Sequence, residues 1–270
     1  MQLGRLLLRT LLVFSLVGFV ACSDDDANEN NQTDTGVETP DAGDHNDALG
    51  GDDTVEDDTV EDDTVTAGNC EPGSDDRAAV AREQVAKNEG VNAGEVTFAS
   101  DADLQSASID AASGGPAQAA TTSYVYVDLD TAEKLELSDV DAFEDTAWDI
   151  AFNRAMIRVN SGDSGPSRWM VARVDAGFDE AAPPSPQDTS WKTDTFIADD
   201  CEVLTEGMGT LTTAFGVWFD YDMSTHTTAV PENTTWVLYN MESHAIYKFG
   251  VNTYDSGAYE VQWAPIEMGR

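Results

Sequence analysis

Residues 23–68 hold 17 acidic side chains, no lysine, no arginine and no aromatic residue. Within them the five-residue unit DDTVE recurs as DDTVE-DDTVE-DDTV over Asp52–Val65. Such a segment cannot bury enough apolar surface to offset the entropy lost on ordering, and its like charges repel one another. It reads as an extended tether that reaches roughly 150 Å when fully drawn out. The acidic pairs lack the spacing and the central glycine of an EF-hand loop, so calcium is not their expected ligand. His45 lies in this stretch as a solvated residue. Folding is thereby confined to residues 69–270.

The 22 residues before the tether have a different chemistry. Arg5 and Arg9 give a positive start, and Leu11–Val20 is an apolar run too short to span a bilayer core of about 30 Å. The run ends in Phe19-Val20-Ala21-Cys22, which resembles the lipobox of bacterial lipoproteins. The organisation expected is therefore a signal peptide over 1–21, a lipidated tether over 22–68 and one folded domain over 69–270. The resemblance makes Cys22 the lipidated first residue of the mature chain. Ser23 after it, rather than Asp, fits outer-membrane sorting, with the chain facing the periplasm or the cell surface.

Two cysteines remain, Cys70 and Cys201. In an exported chain a leftover pair suggests one disulfide, here from the start of the domain to a distant acidic loop; two free thiols are the alternative. The whole chain carries 52 acidic against 13 basic residues, a formal charge of −39, which opposes binding to nucleic acid.

The domain opens with a helix expected over Ser74–Asn88, capped by Ser74, with Asp75 and Asp76 at its positive end. Residues 100–122 are poor in large apolar side chains and read as irregular. From Ser123 onward short aromatic and β-branched runs follow one another, bounded by turn residues. They are Tyr124–Val127, Leu135–Leu137, Trp148–Phe152, Met156–Val159, Trp169–Val174, Phe215–Tyr221, Trp236–Tyr239, Ile246–Val251 and Tyr259–Trp263. The fold class expected is mainly β: antiparallel sheets with long loops and one N-terminal helix. The loops Asp175–Glu206 and Asp222–Thr235 are where binding is expected on such a scaffold.

Trp148-Asp149-Ile150-Ala151-Phe152, followed by Ile157-Arg158-Val159-Asn160-Ser161-Gly162-Asp163-Ser164-Gly165, resembles the signature of HmuY-type haem-binding lipoproteins. The strand–turn–strand Tyr124–Leu137 and the closing meander from Trp236 to Trp263 are similar to the same family, over residues 120–267. The resemblance implies a haemophore-like domain that binds haem for iron acquisition, with an outer-membrane haem receptor as a further partner and the lipid anchor holding it to the membrane. It implies axial donors of the His or Met type, which suit haem iron. Those available are His226, in the loop before the meander, and His244, in a hairpin turn, with Met208, Met223 and Met241 as thioether alternatives. Arg154, Arg158, Arg168, Arg173 and Lys192 offer positive charge for propionates. The alternative is a lipoprotein that uses the same β scaffold for another ligand or partner, with Trp169, Trp191 and Trp218 on show. An enzyme is not expected: the chain has no GxSxG, no HExxH and no glycine-rich phosphate loop.

Overall fold

The computed structural model describes residues 68–207 and 209–266. Cys22 and Met208 lie outside them, as do the signal and nearly all of the tether. In chain order the elements are helix α1 (Asp75–Val85), strands β1 (Val96–Asp101), β2 (Leu104–Asp110), β3 (Val125–Asp128) and β4 (Glu133–Leu135), and helix α2 (Asp139–Ala142). Strands β5 (Ile150–Asn153), β6 (Met156–Val159), β7 (Trp169–Val174), β8 (Thr205–Glu206) and β9 (Thr210–Leu211) come next. Then follow β10 (Asp220–Asp222), β11 (Thr227–Ala229), β12 (Thr235–Asn240), β13 (Ile246–Asp255) and β14 (Ala258–Pro265).

One sheet has six strands in the order β1-β2-β14-β13-β12-β7, and a second has four in the order β4-β3-β5-β6. Every pairing is antiparallel. A single core takes side chains from both: Val125, Val127, Ile150 and Phe152 from the smaller sheet meet Trp236, Leu238, Phe249, Tyr259 and Trp263 from the larger. The alternate residues of the smaller sheet, Tyr126 and Ala151, are buried on its other face against Trp148 and Ala142. This sheet is covered on both sides, which is why its strands read as unbroken apolar runs instead of alternating ones. Two-stranded hairpins β8-β9 and β10-β11 stand apart from the main sheets.

The mainly-β expectation holds, and the departures from it have local causes. Helix α1 is capped as expected, with Ser74 Oγ accepting from Arg77 N at 3.2 Å, but it ends at Val85. Asn88 is drawn away to donate to Asp139 Oδ2 at 2.8 Å, and its carbonyl accepts from Val140 N. Part of the supposedly irregular stretch 100–122 forms β2 and the end of β1. Their small residues suffice because β2 pairs with β14, whose Tyr259, Val261 and Trp263 supply the bulk. The run Phe215–Tyr221 is not one strand: Gly216 turns the chain at φ +61°, so Phe215 and Trp218 both enter the core. Only Asp220–Asp222 pairs, and it makes a hairpin inside the second expected loop. Trp169 and Trp218 are buried core residues and not an exposed surface.

The entry to the domain is fixed three ways. Cys70 and Cys201 form a disulfide, with Cα atoms 5.1 Å apart across 131 residues of sequence. Cys70 N donates to Asp199 O at 2.9 Å. Arg77, on α1, donates from Nε to Asp163 Oδ1 at 2.6 Å, from Nη2 to Asp163 Oδ2 at 2.9 Å and from Nη1 to Cys70 O at 2.9 Å.

Candidate functional site

The signature block does scaffold work. Trp148 Nε1 donates to Ala142 O at 2.8 Å, and Asn160 Nδ2 donates to the carbonyls of Asp145 and Trp148. Gly162 sits at φ +58°, where an added Cβ would lie 2.1 Å from Asp194 O. Asp163 accepts from Arg77 and from the Phe196 and Ile197 amides. Asp194 is buried and accepts from the Val159 and Ala214 amides and from Ser164 Oγ. The two carboxylates thus tie the long loop after β7 to the smaller sheet, each using the backbone N–H groups that a buried loop would otherwise leave unpaired. Burial raises Asp194 to about 6. Asp149 rises to about 7, chiefly from burial, with the Leu129 amide opposing and the Asp128 and Asp130 charges adding.

Space for a ligand lies at one end of the sandwich. A cavity of about 790 Å³ is walled by the end of α1, the segment Pro116–Thr122, the β5-β6 and β8-β9 hairpins, the β10-β11 hairpin and the end of β13. Its size falls within the range of small-molecule and cofactor sites. Tyr124, Met156, Phe219, Tyr221 and Tyr254 give it aromatic and thioether surface, and Lys87 and Arg154 give it positive charge. His226 lines the same space. Tyr124 donates its hydroxyl to Met156 Sδ at 2.6 Å. Beneath the Tyr124 ring lies the guanidinium of Arg158, 4.4 Å from its centroid and buried, held by Ser164. This adds a second layer of positive charge behind the wall. Arg154 is positioned by a tight β5-β6 turn at φ +49° and donates to Ser256 O at 3.2 Å, which brings two hairpins together at the mouth.

The sequence-derived donors divide by location. His226 lines the cavity, on the turn between β10 and β11, with its Nδ1 2.9 Å from the Tyr221 hydroxyl. Met223 is on the same turn but 79% exposed, and it is not part of the cavity wall. His244 and Met241 are on the β12-β13 turn, which directly precedes Ile246, the first residue of β13. The cavity takes Tyr254 and Ser256 from the other end of that ten-residue strand. At about 3.3 Å per residue the strand carries the β12-β13 turn about 30 Å from its far end, and neither His244 nor Met241 lines the cavity. His226 and His244 are therefore not brought together on one ligand. Of the basic residues, Arg154 faces the cavity, whereas Arg168, Arg173 and Lys192 do not line it.

Sequence reasoning missed Met156, Lys87 and Tyr221, which come from three separate parts of the chain. It also missed a repeat that was there to be read: Tyr221-Asp222-Met223-Ser224-Thr225-His226 and Tyr239-Asn240-Met241-Glu242-Ser243-His244 share Tyr, Asx, Met, a hydroxyl residue and His in the same order. Among the described residues no group of three or more His, Cys, Asp and Glu side chains is arranged to hold a metal ion. None of their helices is long and apolar enough to cross a membrane.

The fold is thus an antiparallel β sandwich with a cofactor-sized cavity at one end, lined by imidazole, aromatic rings, the cations Lys87 and Arg154 and the carboxylate Asp139. The HmuY protein family model matches residues 120–265, and the chain belongs to that family of haem-binding proteins. No curated protein matches the chain.

Proposed function

We propose that this protein is an exported, lipid-anchored haem-binding protein that takes up haem in the cavity beside His226 and serves iron acquisition at the outer membrane. The observation that carries this reading is that His226 shares one cavity with Phe219, Tyr221 and Tyr254 and with Lys87 and Arg154. The residues suit the group. Imidazole nitrogen is an axial donor to haem iron. The aromatic rings suit a flat macrocycle, and the two cations suit its propionates. When bound, haem supplies an iron centre whose ligand set tunes its potential. Met156 is a second donor on the same wall, and it enters this proposal in place of the exposed Met223. The Cys22 anchor and a receptor that accepts the haem belong to the same proposal, supported by the lipobox resemblance and by family membership.

The test is a haemin titration of the full chain read at the Soret band. Wild type should give a saturable, shifted Soret band. His226→Ala should weaken binding at least tenfold and change the visible bands, while His244→Ala should leave both alone. Featureless association shared by all three proteins would defeat the reading. Cys22→Ser should release the chain from membranes, and a normally processed, membrane-bound variant would refute the anchor.

A further inference from the structure

The repeated six-residue unit folds the same way twice. In each copy the Asx side chain organises the turn. Asp222 Oδ1 accepts from the amides of Ser224 and Thr225 at 2.7 and 3.3 Å. Asn240 Oδ1 accepts from those of Glu242 and Ser243 at 2.8 and 3.1 Å. In each copy the His closes the turn in the left-handed region, at φ +55° for His226 and +60° for His244. That conformation is uncommon for a residue with a Cβ, so its recurrence at both histidines is a shared feature of the unit. In each copy the tyrosine across the hairpin occupies the imidazole Nδ1, at 2.9 Å for Tyr221–His226 and 2.7 Å for Tyr239–His244. Nε2 is left without a protein partner among the described residues, on an exposed ring. In each copy the first turn residue is a methionine held out in solvent, Met223 at 79% and Met241 at 39% exposure.

A methionine gains nothing from water, and its usual place is in a core. Here the thioether and the imidazole are the first and last residues of one four-residue turn, whose Cα atoms lie within about 7 Å of each other. The unbranched methionine side chain has the freedom to close the remaining gap. In each hairpin a tyrosine oxygen lies within hydrogen-bond distance of Nδ1, so that the tautomer a metal on Nε2 selects, with its proton on Nδ1, has an acceptor in place, the outer-shell arrangement common to metal-bound histidines. One neutral nitrogen and one thioether sulfur form a soft donor pair with no carboxylate, which selects a soft cation such as Cu(I) over Zn²⁺, Mg²⁺ or Ca²⁺. The strongly acidic chain adds long-range attraction for any cation.

We infer that each Tyr-Asx-Met-x-Ser/Thr-His hairpin binds one soft monovalent metal ion of the Cu(I) class, through the imidazole Nε2 and the methionine sulfur. The chain then carries two such sites, one at each end of the sandwich. The inference does not rest on haem binding and is read in haem-free protein; at the β10-β11 hairpin haem iron and the soft ion compete for the one His226 Nε2, whereas the His244 hairpin lies outside the cavity.

Silver(I) is the probe, because it needs no reductant and leaves the Cys70–Cys201 disulfide intact. The full chain carrying Cys22→Ser has no free thiol to compete. With the methionine methyls labelled with ¹³C and the buffer free of chloride, two equivalents of Ag(I) should shift the Met223 and Met241 signals, saturating at one ion each. The other five of the seven methionines should stay in place. His226→Gln should abolish the Met223 shift and spare Met241, and His244→Gln should do the reverse. Tyr221→Phe and Tyr239→Phe should each weaken the neighbouring site about tenfold or more. All four changes are on exposed or half-buried hairpin positions, and unchanged fluorescence of the buried tryptophans verifies the folding of each variant. A Met223 shift that survives His226→Gln unchanged would overturn the inference. So would equal shifts at all methionines, or none at two equivalents.

Discussion

Asp163 is the place to break this fold. Its carboxylate accepts two hydrogen bonds from the Arg77 guanidinium and one each from the Phe196 and Ile197 amides. The side chains of the ion pair are only 9% and 4% exposed. Asp163→Ala therefore leaves a buried cation with only the Cys70 carbonyl as acceptor and no buried counter-charge, and two buried amides without acceptors. Removing one partner of a buried pair costs about 3–5 kcal/mol, because the remaining charge stays desolvated. With a urea m-value of about 2 kcal/mol/M for a domain of this size, a loss of about 4 kcal/mol lowers the midpoint by about 2 M. Five tryptophans, Trp148, Trp169, Trp218, Trp236 and Trp263, are fully buried, so their fluorescence reports the transition in the full chain. Arg77→Met should cost less, because Asp163 keeps its two amide donors. The double variant should show a coupling of more than about 1 kcal/mol and little sensitivity to salt, as a buried pair is poorly screened. A midpoint shift below about 0.5 M at unchanged m, or two losses that simply add, would refute this account.

Other expectations follow from the same geometry. Serine at both Cys70 and Cys201 should lower stability by about 4 kcal/mol in denaturant unfolding, since the bridge closes a loop spanning 131 residues. Gly162→Ala should cost about 3 kcal/mol by the same assay, because φ +58° and the Asp194 carbonyl both oppose a Cβ. Asp149 has its carboxyl raised to about 7 from an ordinary 3.8, so its contribution is complete below pH 4 and lost as the pH climbs through 7. Midpoints measured from pH 4 to 8 should fall by an amount on the order of 4 kcal/mol from this group, and Asp149→Asn should remove most of that slope.

The strands β3, β5, β6, β7, β12, β13 and β14 were legible because their aromatic and β-branched residues sit between turn residues, and Met156–Val159 and Trp169–Val174 match the structure end to end. The β1-β2 hairpin was not, since Ala99, Ser106 and Ala107 have no strand preference of their own and are ordered by β14. Phe215–Tyr221 misled because its apolar content mimics a strand while Gly216 breaks the two-residue period. For the site, His226 was within reach as a loop histidine on a β scaffold. Its company was not: Lys87 is about 140 residues away in sequence, and only the antiparallel topology brings the end of α1 to the β10-β11 turn. The family signature was readable, but its residues hold the long loop in place and do not line the cavity.

The Cys70–Cys201 bridge also determines how the domain carries a mechanical load. The chain N-terminal to Cys70 is the side on which the lipid anchor is proposed. Tension applied there passes through the sulfur–sulfur bond to residue 201 and bypasses everything between. The enclosed segment contains α1, α2, β1 to β7 and the whole signature block. Stretching the oxidised chain from its two ends can thus extend only the residues outside the bridge. Under reducing conditions the same pull would add the hidden 131-residue span to the contour length.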